Sequence, residues 1–402
     1  INNGPVLRLN FGQDGTFGGT ETAQGNTDAN GNGDFYYDVP SGFLAMCSAN
    51  LPEPTIGSNS ATQSDDHFNT VIYTGDGSSR SITGVGFQPD WLWIKGRNYA
   101  FDHIIVDSSR GAGKFLSSND NGVEGDYGQT SFDTDGWSMA GTMNAINENN
   151  RPYVAWNWKA NGGTTTTNDA SSTGVGSIDS VFQANTTAGF SIVTYTGTGS
   201  AGTIAHGLGV VPQMFIVKNR ESTENWVVYH HKNTAAPETD GLQLNLTDAT
   251  VDSAGAWNDT APTSSVFSVG SGSATNKSSD DLVAYVFAEI EGYSKFGSYI
   301  GNGNANGAFV FTGFRPAWFM LKLTSGAGEN WHIFDSTRST SNVVKSRLIA
   351  DDNTAENNND SILDFTSNGF KFRENNAGWN GNGNTYIYMA FAEAPFKYAN
   401  AR

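Results

Sequence analysis

Apolar and polar residues alternate over short stretches along most of the chain, and turns rich in Gly, Asn and Ser separate these stretches. Examples are "SIVTYT" from Ser191 and "KFGSYI" from Lys295. Short alternating stretches bounded by turn residues are typical of β-strands. No stretch combines helical periodicity with capping residues. The pattern therefore predicts an all-β fold built from antiparallel, jelly-roll-like β-sandwiches.

One long pattern occurs three times. It consists of Tyr, a Gly-rich turn, a short strand, Gly, Pro, and then large apolar residues ending in Lys. The anchors are Tyr73, Tyr195 and Tyr299, then Pro89, Pro212 and Pro316, then Lys95, Lys218 and Lys322. The Tyr-to-Pro spacing is 16 or 17 residues, and the Pro-to-Lys spacing is 6. A period of about 100 residues is domain-sized, so the pattern predicts tandem domains rather than a solenoid.

These repeats divide the chain. We expect repeat 1 at 67–160, a linker or long loop at 161–188, repeat 2 at 189–296 and repeat 3 at 297–402. Residues 1–66 do not repeat, and they predict the closing strands of a further β-domain, completed by upstream residues or by another chain. The three copies are expected to superpose and to act as spacer and assembly modules in a row.

Composition narrows the functional classes. The formal net charge is -18, and only 15% of residues are charged. Nucleic acid and anionic membrane are poor partners for such a chain, because binding to either depends on clustered Lys and Arg. The single cysteine, Cys47, excludes an internal disulfide framework, and its apolar neighbours predict burial. The chain begins with Ile, which predicts a processed product or a piece of a longer polypeptide.

Several phrases place the chain in a family. "GFSIVTYTGTGSAGTIAHGLGVVPQMFIVKNR", "FTGFRPAWFMLK" and "FAEAPFKYANAR" resemble a repeat common in large virion proteins of marine and environmental tailed phages. "DFYYDVPSGFLAMCSANLPEPTI" is similar to the end of a SPRY or concanavalin-like domain. The resemblance implies a virion protein with a tail-fibre-like role, and trimerisation follows only from the likeness to fibres. It supplies no catalytic residues.

Catalytic and metal-binding readings have weaker support. Asp107 and Asp335 occupy equivalent positions, and each precedes an Arg by three residues, so local pairing with Arg110 and Arg338 is expected rather than a glycosidase pair. The adjacent His230 and His231 would point to opposite faces of a strand, which disfavours a shared metal. We therefore predict no enzyme and no cofactor. Acidic turns at Asn30, Asn119 and Asp133 leave a structural calcium ion as an alternative.

The aromatic residues divide into two groups. Trp91 with Trp93, and Trp156 with Trp158, lie two apart on predicted strands and are expected in the core. Unrepeated aromatics in loops are better candidates for stacking on a sugar ring. We therefore predict ligand-binding positions at Trp257 and Trp379, with Asn380 and Asn382 beside the latter.

Together these features predict a phage virion structural protein, most simply a tail fibre or another surface appendage. It would assemble with other virion subunits as a homo-oligomer and contact a host-surface glycan. A capsid or sheath-type protein that binds only other subunits is the alternative, and a polysaccharide depolymerase is a third hypothesis.

Overall fold

The computed structural model describes residues 9–126, 128–141 and 143–399. The chain divides into two compact units, Ile1–Pro54 and Thr55–Arg402. All three repeats lie in the second unit. Regular structure there is almost entirely antiparallel strand, so the predicted all-β sandwich fold is confirmed.

The strands are numbered along the chain. Repeat 1 contains β1 Phe68–Thr74, β2 Arg80–Thr83, β3 Trp91–Gly96, β4 Ile104–Asp107, β5 Lys114–Leu116, β6 Gly125–Asp126, β7 Gln129–Asp133, β8 Gly136–Met139 and β9 Pro152–Trp158. Repeat 2 contains β10 Thr166–Asn168, β11 Ser180–Asn185, β12 Phe190–Thr196, β13 Gly202–Ala205, β14 Met214–Asn219, β15 Val227–His230, β16 Asp240–Gln243, β17 Val251–Asp252, β18 Val266–Val269 and β19 Asp281–Phe287. Repeat 3 contains β20 Ser294–Ile300, β21 Phe309–Phe311, β22 Phe314–Leu323, β23 His332–Asp335, β24 Leu348–Ile349, β25 Leu363–Thr366, β26 Gly369–Phe372 and β27 Thr385–Pro395.

Helices are single turns. The α-helical turns are α1 Asn144–Asn147, α2 Ala170–Thr173, α3 Ala254–Trp257, α4 Ser273–Asn276 and α5 Ala377–Asn380. Three 3-10 turns lie at Ser48–Asn50, Ser64–Asp66 and Pro237–Thr239.

The three repeats have the same strand order. The large sheet runs β1-β9-β3-β4-β5 in repeat 1, β12-β19-β14-β15-β16 in repeat 2 and β20-β27-β22-β23-β24 in repeat 3. The small sheets are β2-β8-β7, β13-β18 and β21-β26-β25. Repeat 1 adds β6 to its large sheet, and repeat 2 adds β10, β11 and β17.

Each large sheet is buried on both faces. In β3, Leu92 and Ile94 pack with Ile82 and Trp137 of the small sheet inside the sandwich. Trp91 and Trp93 alternate with them, so their side chains point to the opposite face and enter a second core. Strands buried on both faces favour runs of apolar residues, and all six residues of β3 and of β14 are buried, including Lys95 and Lys218 after the apolar run.

The second core is shared by the three repeats. The rings of Trp91 and Tyr285 lie 4.7 Å apart, those of Trp158 and Trp318 lie 5.4 Å apart, and those of Phe287 and Phe391 lie 6.1 Å apart. One continuous cluster of buried side chains therefore joins the three large sheets. The repeats pack around a common core, and the expected row of separate spacer domains is wrong.

Three local predictions also differ from the structure. The predicted linker 161–188 supplies β10 and β11 to the large sheet of repeat 2, because the Thr residues of β10 and the Val and Phe of β11 favour extended backbone. Strand Ser294–Ile300 crosses the predicted boundary between repeats 2 and 3. Cys47 is exposed rather than buried.

Residues 9–54 do not contain the predicted closing strands. The described part of this unit has one isolated bridge, between Asn26 and Phe35, and one 3-10 turn. Several of its main-chain N–H groups bond to side chains: Asp28 accepts from the amides of Asn30, Asn32 and Ala45.

Candidate functional site

A buried charged network joins repeats 1 and 2. Asp107 ends β4 and forms an ion pair with Arg110, whose main-chain amide also donates to its Oδ1 at 2.8 Å. Arg110 Nη1 lies 3.0 Å from Glu124 Oε2. Arg220 of repeat 2 holds the same carboxylate through two bonds of 2.9 Å. The Tyr285 hydroxyl, also of repeat 2, donates to Asp107 Oδ2 at 2.7 Å. The network is thus both a local pair and a contact between repeats.

The same network joins repeats 3 and 1. Asp335 pairs with Arg338, and Arg338 Nη1 lies 3.0 Å from Glu356 Oε2. Arg97 of repeat 1 binds Glu356 through bonds of 2.7 and 2.9 Å. Trp156 Nε1, also of repeat 1, donates to Asp335 Oδ2 at 2.9 Å. Strand register places Trp156 at the position that Tyr285 occupies in repeat 2.

Burial and charge act in opposite directions on these groups. Burial disfavours the ionised form of Glu356, but the bonds and charges of Arg97 and Arg338 lower its pKa to about 2. The pKa of Glu124 is lowered for the same reasons, with Arg220 and Arg110 as the partners. Burial alone would lower the pKa of Arg110, but Asp107 holds it above its usual value. Glu356, Glu124 and Arg110 are therefore ionised at neutral pH.

The contact between repeats 2 and 3 uses neutral groups at the equivalent positions. Register aligns His230 with Asp107 and Asp335. His230 Nε2 lies 3.1 Å from the Tyr388 carbonyl oxygen of repeat 3. Thr250 Oγ1 donates to Asn233 Oδ1 at 2.6 Å, and the Thr250 amide donates to the Thr324 carbonyl of repeat 3 at 3.3 Å. Here polar side chains stand where the other two contacts have four ionised groups.

A ring N–H contact occurs at all three interfaces. It joins a residue just before the fourth strand of one large sheet to a carbonyl in another repeat. The pairs are His103 Nε2 with Ile349 O at 2.8 Å, Trp226 Nε1 with Ser117 O at 2.8 Å, and Trp331 Nε1 with Gln243 O at 2.9 Å. Repeat 1 thus contacts repeat 3, repeat 2 contacts repeat 1, and repeat 3 contacts repeat 2. Equivalent head-to-tail contacts of this kind close a ring of three within one chain.

These contacts bear on the catalytic reading. The predicted local pairing of Asp107 with Arg110 and of Asp335 with Arg338 is confirmed. Both carboxylates are fully buried, with 0% of the side chain exposed. Each pairs with the guanidinium of its own repeat and accepts a hydrogen bond from an aromatic side chain of another repeat, Tyr285 or Trp156. Neither has the carboxylate partner across an open cleft that glycoside hydrolysis requires.

The anchor residues have internal structural roles. The hydroxyls of Tyr73, Tyr195 and Tyr299 each donate to a carbonyl of the helical turn α1, α4 or α5. The last residue of each turn is a buried Asn: Asn147, Asn276 or Asn380. Asn380 Nδ2 donates to Asn302 Oδ1 and to the carbonyls of Asn304 and Glu374, as its equivalents do to their own loops.

The predicted ligand platform is therefore wrong for three of its four residues. Trp379 is 1% exposed and packs against the His332 ring, with centroids 5.3 Å apart. Trp257 is 0% exposed, and its Nε1 donates to the Asp240 carbonyl at 3.1 Å. Asn380 is buried as described above. Asn and Gly in these loops serve tight turns over a buried ring, so loop composition did not indicate exposure. Asn382 is exposed, and its role stays a prediction.

The sequence reasoning missed Arg97, Arg220, Glu124 and Glu356. One signal was present: an Arg follows the anchor Lys by two residues in repeats 1 and 2, whereas repeat 3 has Thr324 at that position. The two glutamates lie in loops of unlike length and sequence, so only the fold brings them to their partners.

His230 and His231 bind different atoms of repeat 3. His231 Nε2 lies 2.6 Å from the Phe296 carbonyl oxygen, and His230 reaches Tyr388. Within residues 9–126, 128–141 and 143–399, no group of three or more His, Cys, Asp or Glu side chains could hold a metal ion. Calcium at the acidic turns stays a prediction. Across the same described ranges, no helix is long and apolar enough to cross a membrane.

Comparison with known proteins gives one family. A search of curated proteins found no match. The profile of a family described as a domain of unknown function, DUF7483, matches residues 63–395. The match begins just before β1 and ends with β27, so it contains all three repeats and the contacts that join them. The chain belongs to the DUF7483 family.

Proposed function

We propose that the protein is a structural component of a tailed-phage particle, most simply a tail fibre or another surface appendage, which serves assembly and host-surface attachment. The observation that carries this proposal is the use of the repeated charged residues. Asp107, Arg110, Asp335 and Arg338 are buried, and their networks connect repeats instead of facing solvent. Charged groups used in this way support a rigid building block rather than a catalyst.

The closed ring supports this role in a second way. Head-to-tail contacts that do not close would lead to open filaments, whereas these contacts close after three copies within one chain. No end of the ring is left for another chain to extend. Contacts with virion subunits, or with a second copy, would therefore use the outer surfaces of the sandwiches.

Attachment to a glycan would use polar loops at one end of repeat 3. Residues 301–307 and 381–384 lie together: the Gly303 amide donates to Asn380 O, and the Gly383 amide donates to Gly301 O, both at 2.9 Å. Asn302, Asn304 and Asn382 in these loops are exposed. Asn302 Oδ1 is used within these loops, because it accepts from Asn380 Nδ2 and from the Asn304 amide. The Asn382 side chain is the better candidate, since an amide offers donors and an acceptor that suit the hydroxyl groups of a sugar.

Labelled particles would test the proposal. Antibodies against residues 55–402 should decorate the tail or a surface appendage of purified particles in electron micrographs. Label spread over the head or along the tail tube would favour the capsid or sheath alternative, and its absence from particles would overturn a virion role. Release of reducing sugars from host polysaccharide by the purified protein would instead support a depolymerase.

A further inference from the structure

The three repeats differ on one homologous strand, the edge strand of the small sheet. Strands β2, β13 and β21 each bury a central apolar residue, Ile82, Ile204 or Val310, and β13 buries Ala205 as well. Register with the neighbouring strand aligns them, because these residues face Trp137, Phe267 and Phe370. The two residues that flank the central one point outward. They are Ser81 and Thr83 in repeat 1, Thr203 and Ala205 in repeat 2, and Phe309 and Phe311 in repeat 3.

Repeat 2 covers this edge with its own chain. Ile178 forms a parallel bridge with Ile204. The amides of Ser177 and Ile178 donate to Thr203 O at 2.8 and 3.1 Å, and the Thr203 amide donates to Ser177 Oγ at 2.9 Å. A short segment, 176–178, therefore satisfies the outer N–H and C=O of Thr203.

The described residues of repeat 3 provide no such cover. Bonds from Thr312 N to Asn368 O and from Phe372 N to Ala308 O flank the β21–β26 ladder. Because hydrogen-bonded pairs alternate along an antiparallel ladder, the N–H and C=O of Phe309 and Phe311 face the outer edge. In the part of the chain that the structure describes, these groups have no hydrogen-bond partner.

The side chains on this edge are also unusual for a free strand. Phe309 is 49% exposed and Phe311 is 58% exposed. Proteins generally protect an open edge with polar or charged residues, as repeat 1 does with Ser81 and Thr83. An edge that offers both unpaired main-chain groups and apolar side chains is suited to receive another strand.

A cation next to the edge indicates the charge of the incoming strand. Lys371 lies opposite Phe309 on β26, and its Nζ donates to the Gly307 carbonyl at 3.0 Å. Asp364 lies opposite Lys371 on β25 but pairs with Arg373 at 3.4 Å, and among the described residues no carboxylate forms an ion pair with Lys371. An acidic residue in the incoming strand would complement Lys371. A second copy of the chain is disfavoured, because each copy carries a net charge of -18.

We propose that the outer edge of β21 binds an extended segment of a partner protein by strand addition. The segment would place apolar or small residues against Phe309 and Phe311 and a carboxylate near Lys371. It would repeat at repeat 3 what 176–178 does at repeat 2. This inference concerns the edge itself and holds wherever the protein is located.

A labelled peptide tests the proposal on the full chain. The probe is a fluorescein-labelled peptide with the sequence of residues 173–182, "TGVGSIDSVF", which contains the segment that covers β13 and the acidic Asp179. We expect a saturable rise in fluorescence anisotropy. Hydrogen–deuterium exchange should slow at the amides of Phe309 and Phe311. Absence of binding, or protection confined to other strands, would overturn the proposal.

Two variants separate main-chain pairing from side-chain stickiness. Phe309→Pro removes an outward N–H that makes no internal bond, and proline is tolerated at such edge positions. It should weaken binding at least about tenfold, which corresponds to about 1.4 kcal/mol. Ser81→Pro at the equivalent position of repeat 1 is the matched control and should leave binding unchanged. The double variant Phe309→Ser with Phe311→Thr, which copies repeat 1, should also weaken it.

Other occupants give different results. If Phe309→Pro leaves peptide binding intact, strand addition is overturned. Binding of alginate, an acidic polysaccharide, that survives Phe309→Pro but is lost in the double variant would assign this face to a glycan. Self-association of the parent chain that Phe309→Pro abolishes would assign the edge to a second copy. Unchanged thermal unfolding of each variant by circular dichroism confirms that it is folded.

Discussion

The contact between repeats 3 and 1 and the contact between repeats 2 and 3 achieve the same geometry with different chemistry. The first has Asp335, Arg338, Glu356 and Arg97 in one buried network. The second has His230, Asn233, Thr250 and Thr324 at the equivalent positions, all neutral or hydroxyl groups. The ring nevertheless closes at both contacts. Closure of the ring therefore depends on the shared apolar core. The charged network is one of two ways to pair the buried polar groups beside that core.

This difference agrees with the energetics of buried ions. Taking ions out of water costs several kcal/mol each, and attraction between partners repays that cost only when every group is paired. Neutral hydrogen-bonded side chains neither incur this desolvation cost nor gain the ionic attraction. The charged contacts should therefore be more sensitive to loss of a single partner than the neutral contact, without contributing more net stability.

Loss of one guanidinium should have the largest effect. Arg338→Met leaves Asp335 as a buried carboxylate without its cation, so the free energy of unfolding should fall by about 3–5 kcal/mol. Denaturant unfolding measures this change. The matched control is Lys114→Met, which breaks an exposed ion pair with Asp126 and should cost less than about 1 kcal/mol. Similar losses in the two variants would show that the network contributes no more than a surface pair.

Acid should have the second-largest effect, because it removes charge from the contact between repeats 3 and 1. The pKa of Glu356 is about 2 in the folded chain, against 4.5 for an ordinary glutamate, so this carboxylate contributes stability that is present above about pH 4.5. That contribution should be lost as the pH falls towards 2, by roughly 3 kcal/mol. Glu356→Gln should flatten this part of the profile of unfolding free energy against pH. Glu148→Gln, at a partly exposed pair with Arg151, is the matched control.

The sequence was sufficient to predict the repeats, the strands and the Asp–Arg pairs, because local alternation and short spacings carry that information. The sequence also contained a feature that indicates the shared core. Each sheet of an isolated sandwich has one solvent face, so its strands should alternate apolar with polar residues. The runs "WLWI" of β3 and "MFIV" of β14 are apolar at every position, which indicates burial on both faces.

Other features depend on contacts far apart in the chain. Glu356 meets Arg97 across 259 residues, and no local pattern marks either residue as a partner. Trp379 misled for a different reason. Its neighbours are turn formers, but the turn α5 folds the indole under the loop, where Arg347 lies 5.1 Å from the ring centroid. Residue type alone did not distinguish a displayed aromatic from one that closes a sandwich.

Removal of the Tyr285 hydroxyl, which bonds across the contact between repeats 2 and 1, should have an intermediate effect on stability. Tyr285→Phe removes a hydrogen bond to the ionised Asp107, and bonds to charged groups are worth about 1.5–3 kcal/mol. Tyr195→Phe is the matched control, because its hydroxyl donates to the neutral carbonyl of Thr275 and should cost about 0.5–1.5 kcal/mol. Denaturant unfolding of both variants compares them. A larger loss for Tyr195→Phe would contradict a special role of charge at the contact.

Transfer of the charged network to the neutral contact should have the smallest effect. The fourfold variant His230→Asp, Asn233→Arg, Thr250→Glu and Thr324→Arg keeps the net charge, since it adds two acids and two bases. Coulombic attraction and desolvation should nearly cancel, so unfolding free energy at pH 7 should change by only about 1 kcal/mol. Thr250→Glu alone should cost several times more, because its charge would be buried without a partner. Met389 occupies the place of Tyr285 and Trp156 and donates no hydrogen bond, so adding Met389→Tyr should recover part of any loss. The stability of the grafted contact should also fall below about pH 4.5, just as Glu356 makes the contact between repeats 3 and 1 sensitive to acid. A gain of more than about 3 kcal/mol in unfolding free energy at pH 7 would show instead that the charges stabilise the ring in their own right.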